Sequence, residues 1–152
     1  MADYAGAVAA IRDRLAANWT TTPIAYQNEP FDAPTDPNSG NPTAWVALEV
    51  IGNGSEQRTI GGNGGHDWIY RGHILAHVFV PVNDGIATAH AHAVALGEIF
   101  RAAQFYDATA AHCVRSAYGG EGPSTDGGGI SADQGNWFRV TMTVPFKYYH
   151  RG

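Results

Sequence analysis

Cysteine and lysine are the residue types that this 152-residue sequence has least of. Cys113 is the single cysteine, so the chain cannot form an internal disulfide. Lys147 is the single lysine among nine basic residues, against fourteen acidic residues, and the formal net charge is −5. A groove for a nucleic-acid backbone needs clustered lysine and arginine. The composition therefore argues against direct, affinity-driven binding of nucleic acid.

Long hydrophobic runs and a secretion signal are also missing. No apolar run approaches the ~20 residues that a membrane-spanning helix needs. The N-terminus carries Asp3 and lacks the basic-then-apolar pattern of a signal peptide. We therefore expect a protein that is made and folded in a cytoplasm and has no contact with a membrane.

The motifs that carry enzymatic chemistry are missing too. There is no GxSxG nucleophile turn, and the glycine-rich stretches match neither GxGxxG nor GxxxxGK. Cys113 lies within a predicted strand and is better explained as a small buried hydrophobe than as a nucleophile. Glu49 and Glu56 flank a predicted hairpin, but solvation and strand pairing explain them better than an acid/base pair. We predict no catalytic residue and no cofactor.

Seven histidines invite a metal hypothesis, which their spacing does not favour. His73 and His77 lie on one face of a predicted strand, about 13 Å apart at the usual rise per residue. His90 and His92 point about 160° apart on a predicted helix. His66, beside an aspartate, has no HExxH motif or Cys/His cluster to support it. We predict no metal site.

A β-strand followed directly by an α-helix, over residues 68–105, is the unit around which the rest of the chain is organised. Apolar residues alternate through 68–82, and both faces of this strand are apolar enough to be covered. Asn83-Asp84-Gly85 supplies the turn, with Asp84 a candidate helix N-cap. The buried face of the helix is predicted to contain Ile86, Ala89, Ala93, Leu96 and Phe100.

The remaining periodic stretches predict one more helix and several strands. A helix over 3–18 would bury a stripe of Ala5, Val8, Ile11, Leu15 and Trp19. Strands are predicted over 24–26, 45–51, 110–118 and 137–146. Three segments are predicted to be loops: the proline-rich 28–43, the glycine-rich 52–65, with a short strand at 58–60, and the glycine-rich 119–135. We expect 52–65 to depart from the sheet.

These elements add up to an α+β fold in a single domain over residues 1–152. The expected architecture is a mostly antiparallel sheet with two helices packed on one face and long glycine-rich loops. The other face of the sheet would then be exposed unless another molecule packed against it. The low charged fraction (15%) and the four Trp, seven Tyr and six Phe suggest that other subunits cover it.

The pattern as a whole resembles the tail terminator proteins of long-tailed phages and of phage-derived particles such as gene transfer agents. The resemblance spans roughly residues 5–149 and depends on the order of elements. The segments that carry it are a helix with Ile11 and Leu15, TTPIAYQNEPF, AWVALEV, RTIGG, RGHILAHVFVPVNDG before an alanine-rich helix, and WFRVTMTVPFKYYH. VFVPVNDG and VPFKYY are its most specific stretches.

The resemblance implies a non-enzymatic assembly protein. Members of this family resemble one another in forming a six-membered ring on the head-proximal end of the tail tube. The ring stops tube growth and offers a docking surface to the head connector, and DNA passes through it without specific binding. Six copies at −5 each would carry −30, so a lumen lined by acidic residues would repel DNA. The implied location is the neck of a particle assembled in a bacterial host.

Two other classes of function stay open at this stage. One is a neighbouring neck or tail part, either a head–tail stopper or a tube subunit that polymerises into open stacks. The other is a small enzyme or ligand-binding domain, which would require a pocket with convergent polar groups.

Overall fold

The computed structural model describes residues 3–109, 112–130 and 136–152. Two helices and eight strands lie in this part of the chain. In chain order they are α1 (Tyr4–Asn18), β1 (Ile24–Ala25), β2 (Trp45–Gln57), β3 (Asp67–Pro81), α2 (Ala87–Phe100), β4 (Ala103–Thr109), β5 (His112–Ser116), β6 (Ser124–Thr125), β7 (Gly129–Ile130) and β8 (Trp137–Arg151). Neither of the described helices is long and apolar enough to cross a membrane.

The strands form one curled sheet with the order β1-β2-β3-β8-β5-β4. All its pairs are antiparallel except β1 with β2. β3 pairs with β8 along its whole length, and β7, β6 and β5 pair in turn with successive parts of the other edge of β8. A mostly antiparallel sheet with two helices confirms the predicted α+β class.

Both helices pack on the same face of the sheet, which we call the helix-covered face. The strand side chains on this face include Val46, Leu48, Ile74, Ala76, Val78, Val80, Val140, Met142, Val144, Phe146 and Tyr148. Strict alternation along β3 and β8 places them there, since successive side chains of a strand point to opposite faces. The predicted alternation in these two strands is confirmed.

The buried stripe of α1 consists of Ala7, Ile11 and Leu15, each fully buried. The predicted stripe was therefore right for Ile11, Leu15 and Trp19 and wrong for Ala5, which is exposed, while Val8 is half-buried. A spacing of four residues keeps the observed stripe on one face. Asp3 caps the helix, because its side chain accepts a hydrogen bond from the backbone N–H of Gly6 (2.7 Å).

Helix α2 buries Ala89, Ala93, Leu96 and Phe100, as predicted. Ile86, by contrast, is 57% exposed and takes the N-cap position, so Asp84 is not the cap. The predicted continuation of the helix to Phe105 is also wrong. The chain turns after Phe100 and enters β4, a strand that the sequence pattern does not predict.

The glycine-rich segment 52–65 does not leave the sheet at its start. β2 continues through a bulge at Gly52/Gly54 to Gln57, which pairs with Trp68. The short strand predicted at 58–60 is absent from the described residues, where 58–66 form the tip of the hairpin. Backbone pairing along β3 holds this part of β2 in place although glycine is poor at forming strands.

The predicted loop 119–135 is also partly ordered against β8. Ser124–Thr125 and Gly129–Ile130 pair with it, and Asp126 Oδ1 accepts hydrogen bonds from the backbone N–H groups of Gly128 and Thr141 (both 3.0 Å). The strand predicted over 110–118 is observed as His112–Ser116. Residues 110–111 and 131–135 lie outside the described residues.

Candidate functional site

The face of the sheet opposite the two helices is the candidate interaction surface, and we call it the helix-free face. Its side chains come from alternate positions of β2, β3, β8 and β5. They include Trp45, Ala47, Glu49, Ile51, Ile69, Arg71, His73, Leu75, His77, Phe79, Cys113, Arg115, Trp137, Arg139, Thr141, Thr143, Pro145, Lys147 and Tyr149. Neither helix covers this mixture of apolar and charged groups.

An aromatic cluster closes one end of the helix-free face. Trp45 and Phe79 stack with their ring centroids 4.1 Å apart, and Trp137 meets Trp45 edge-on at 5.9 Å. Phe31, from the loop 28–43, packs on Trp45 at 4.9 Å. The three clustered rings are buried within one chain. The loop after β1 is therefore fixed over this end of the face.

A hydrogen-bonded row crosses three strands in the middle of the face. His77 on β3 lies between Glu49 on β2 and Thr141 on β8: its Nε2 is 2.8 Å from Glu49 Oε2, and its Nδ1 is 2.9 Å from Thr141 Oγ1. Carboxylate, imidazole and hydroxyl follow one another as in a catalytic triad. Thr141, however, is a β-branched residue within a regular strand and not on an exposed turn of the kind that presents a nucleophile. We interpret the row as cross-strand pairing.

Glu49 and Glu56, the two residues of the possible acid/base pair, form hydrogen bonds with different residues. Glu49 bonds to His77, whereas Glu56 Oε1 accepts a hydrogen bond from Arg71 Nη2 (2.6 Å). The hydrogen bond and the positive charge of Arg71 lower the pKa of Glu56 from its ordinary value. The two carboxylates therefore have separate partners and do not form the paired site that their spacing allowed.

Three cations form a second row near the other end of the face. Arg71 on β3 and Arg115 on β5 are both direct neighbours of Lys147 on β8. All three side chains line one open cavity of about 240 Å³, together with Asn53, Gly72, His73, Tyr118, Glu121, Pro145 and Phe146. The sequence does not indicate this basic row, because the three residues come from distant parts of the chain.

The histidines are dispersed over the described structure. Asn53 Nδ2 donates a hydrogen bond to His73 Nδ1 (2.8 Å). His92 meets the Trp19 ring edge-on, and burial lowers the pKa of His92. His112 and His150 lie edge to face at 5.0 Å. No group of three or more His, Cys, Asp or Glu residues that could hold a metal ion occurs among residues 3–109, 112–130 and 136–152.

Cys113 points toward the helix-free face beside Tyr149 and is 3% exposed. Burial raises the pKa of its thiol. A thiol with a raised pKa is a weaker source of thiolate at neutral pH. The prediction that Cys113 is a small buried residue is confirmed.

Known proteins similar to this chain match most of its length. A sequence model of the family described as "Phage tail terminator protein" matches residues 7–146. Eleven chains of solved structures also match, and one of them is 20% identical, with a TM-score of 0.63 over 96% of this chain and 95% of that chain. At that identity the likeness shows the fold alone. No curated protein matches the chain.

Proposed function

Because the chain belongs to the phage tail terminator family, we propose that it forms a six-membered ring on the head-proximal end of a tail tube. The observation that carries the proposal is the family match, which extends from α1 to β8 and includes the whole strand order. The ring would stop tube growth and present a docking surface to the head connector. In this role the protein is structural and performs no catalysis.

The distribution of charge on the helix-free face supports assembly through contacts between two different surfaces of the subunit. A closed ring needs head-to-tail contacts, in which one patch of a subunit meets a different patch of the next. In β2, β3, β5 and β8 the positions on this face carry Arg71, Arg115, Arg139, Lys147 and Arg151, five of the nine basic residues, against three of the fourteen acidic residues, Glu49, Glu56 and Asp67. Glu121, from outside these strands, also lines the cavity of the face. The rest of the sequence is correspondingly acidic. Such a charge distribution suits contact between different surfaces of two copies.

The proposed partners are further copies of the chain, the tail tube protein and the head connector or stopper. We propose that the protein is made in the cytoplasm of a bacterial host and is incorporated at the neck of a phage or a phage-derived particle such as a gene transfer agent. DNA would pass through the ring without specific binding.

Deletion of the gene tests the proposal, with tail length and head attachment scored by electron microscopy. Overlong tubes without heads are the expected result, because nothing would stop tube growth. Supplying the intact gene in trans should restore tails of normal length. Tubes of normal length beside unjoined filled heads would instead indicate a stopper, and absence of tubes would indicate a tube subunit. Normal infectious particles would contradict any assembly role.

A further inference from the structure

We propose that the basic row of Arg71, Lys147 and Arg115 receives a carboxylate from the loop 28–43 of a second copy of this chain. The inference depends on the proposed ring, in which copies contact one another head to tail. It identifies both sides of that contact: a basic cavity near one edge of the sheet and an acidic loop at the other.

The charge of the basic row is only partly balanced within one copy. Arg71 is paired with Glu56, and Arg115 donates a hydrogen bond to Gln104 Oε1 (3.1 Å) while lying over the Tyr149 ring at 5.0 Å. Lys147 lies between them, and among the described residues it has no ion pair. Like charges that are direct neighbours across strands destabilise a sheet. An anion in the cavity would relieve this repulsion.

The surroundings of the cavity favour a single carboxylate over a nucleic-acid backbone. Glu121 lines the cavity and Glu56 is bonded to Arg71, so negative charges lie beside the cations. A duplex presents a continuous row of phosphates that these acidic groups would repel. A carboxylate on one side chain can enter between them, and the two guanidinium groups offer it the donor geometry that arginine provides for carboxylates.

The loop 28–43 has the charge and the position required of the partner. It follows β1, at one end of the strand order, whereas Arg115 lies on β5 toward the other end. Phe31 of this loop packs on Trp45, which is the direct neighbour of Phe79 on β3. Phe79 is eight residues along β3 from Arg71, so these two positions are about 26 Å apart. One copy therefore cannot place this loop in its own cavity, so a carboxylate of the loop would have to come from another copy.

Asp32 is the carboxylate of this loop best placed to enter the cavity. Glu29 is paired with Arg12, and Asp36 Oδ1 accepts a hydrogen bond from the backbone N–H of Asn38 (2.8 Å). Asp32 is exposed and makes no ion pair with any described residue. It follows Phe31, whose packing on Trp45 fixes the start of the loop.

Because the chain has a single lysine, chemical crosslinking can detect the proposed contact between the two copies. A carbodiimide joins a carboxylate to an amine without a spacer, and Lys147 is the only lysine in the chain. A mixture of unlabelled and ¹⁵N-labelled protein, alone and bound to purified tube ends, is treated with the reagent and analysed by mass spectrometry. We expect a mixed-isotope crosslink between Lys147 and Asp32. Crosslinks confined to Glu56 or Glu121 of the same copy, crosslinks to a tube-protein peptide alone, or no crosslink would overturn the inference.

Charge exchange provides an independent test by sedimentation. Lys147→Asp and Asp32→Lys should each reduce association between copies by at least about tenfold, since charge pairs at interfaces contribute a kcal/mol or more. The double variant with both changes restores opposite charges and should recover association. Lys147→Arg is the matched control, which keeps the charge and loses the crosslink. Equal association of all four variants would contradict the proposed contact.

The tail-length experiment separates this inference from the function on which it depends. Overlong tubes in the deletion strain together with unaltered association of Lys147→Asp would overturn the contact and leave the terminator function standing. Normal particles in the deletion strain would remove the function itself.

Discussion

Gly72 of β3 lies against the ring of Phe146, its direct neighbour on β8. A Cβ atom at position 72 would be 2.3 Å from the carbonyl oxygen of Ile51 and 2.7 Å from Phe146 Cε1. Both distances are far below van der Waals contact. The backbones of β2 and β3 approach closely here because glycine has no side chain, and the Phe146 ring fills the space above it.

We expect Gly72→Ala to lower the free energy of unfolding by about 2 kcal/mol or more, because the carbonyl oxygen belongs to a paired strand and cannot move aside. Urea denaturation measures the change. Gly62→Ala is the control, since a Cβ at position 62 would meet no atom within 4 Å. A Gly72→Ala protein as stable as the control variant would contradict this account of the close approach.

The sequence predicts the elements whose burial pattern is local. Residues 138–144 alternate between apolar and polar without interruption, and the predicted strand 137–146 is observed within β8. The helical spacing of Ala89, Ala93, Leu96 and Phe100 likewise predicts the buried face of α2. In these cases the sequence of one element indicates which of its own sides is buried, so the residues that pack against it need not be known.

Elements that depend on pairing could not be predicted in this way. Gly52–Gln57 is rich in poor strand formers, yet it is held as a strand by β3. Ala102 adopts a φ of 45°, in the left-handed region, just after α2 ends. Because this residue is not a glycine, the sequence does not mark the end of the helix. The two-residue strands β6 and β7 exist only through their pairing with β8.

The basic row illustrates the same limit for the candidate site. Arg71, Arg115 and Lys147 are 32 to 76 positions apart in the sequence. Only the pairing registers of β3 with β8 and of β5 with β8 make them neighbours. A shift of either register by one residue would send one cation to the helix-covered face. Composition indicated too few basic residues for a groove, and it gave no sign that three of them meet.

Tyr148 provides a prediction about the core. Its side chain is fully buried, and its hydroxyl has no hydrogen-bond partner among the described residues. An unsatisfied buried hydroxyl is costly. We expect Tyr148→Phe to raise the free energy of unfolding at pH 8 by about 1 kcal/mol. Tyr149→Phe, on the opposite face of the same strand, is the control and should change stability little.

The same substitution has a predictable effect at alkaline pH. Burial raises the pKa of Tyr148 from 10.0 to about 12, so folding favours the neutral phenol. This contribution is complete below pH 10 and is lost as the pH rises toward 12, because the unfolded chain gives up its proton first. Between pH 10 and 12, stability should fall less steeply in Tyr148→Phe than in Tyr149→Phe. Parallel pH profiles of the two variants would contradict the assigned burial effect.

The row of Glu49, His77 and Thr141 yields a prediction about coupling between strands. Both imidazole nitrogens are engaged, so a change in one neighbour should alter the bond to the other. We expect Thr141→Val to lower the free energy of unfolding by about 1 kcal/mol, because one hydrogen bond is lost with little change in shape. Thr143→Val is the control, since Thr143 lies two positions away on the same face.

A double-mutant cycle distinguishes a coupled row from two independent bonds. Glu49→Gln, Thr141→Val and the double variant are compared by urea denaturation, and a coupling energy of at least about 0.5 kcal/mol is expected for residues that share a partner. The same cycle with Thr143→Val in place of Thr141→Val should give no coupling. If both cycles are additive, His77 does not connect β2 to β8, and the helix-free face is held together by backbone pairing and the aromatic cluster.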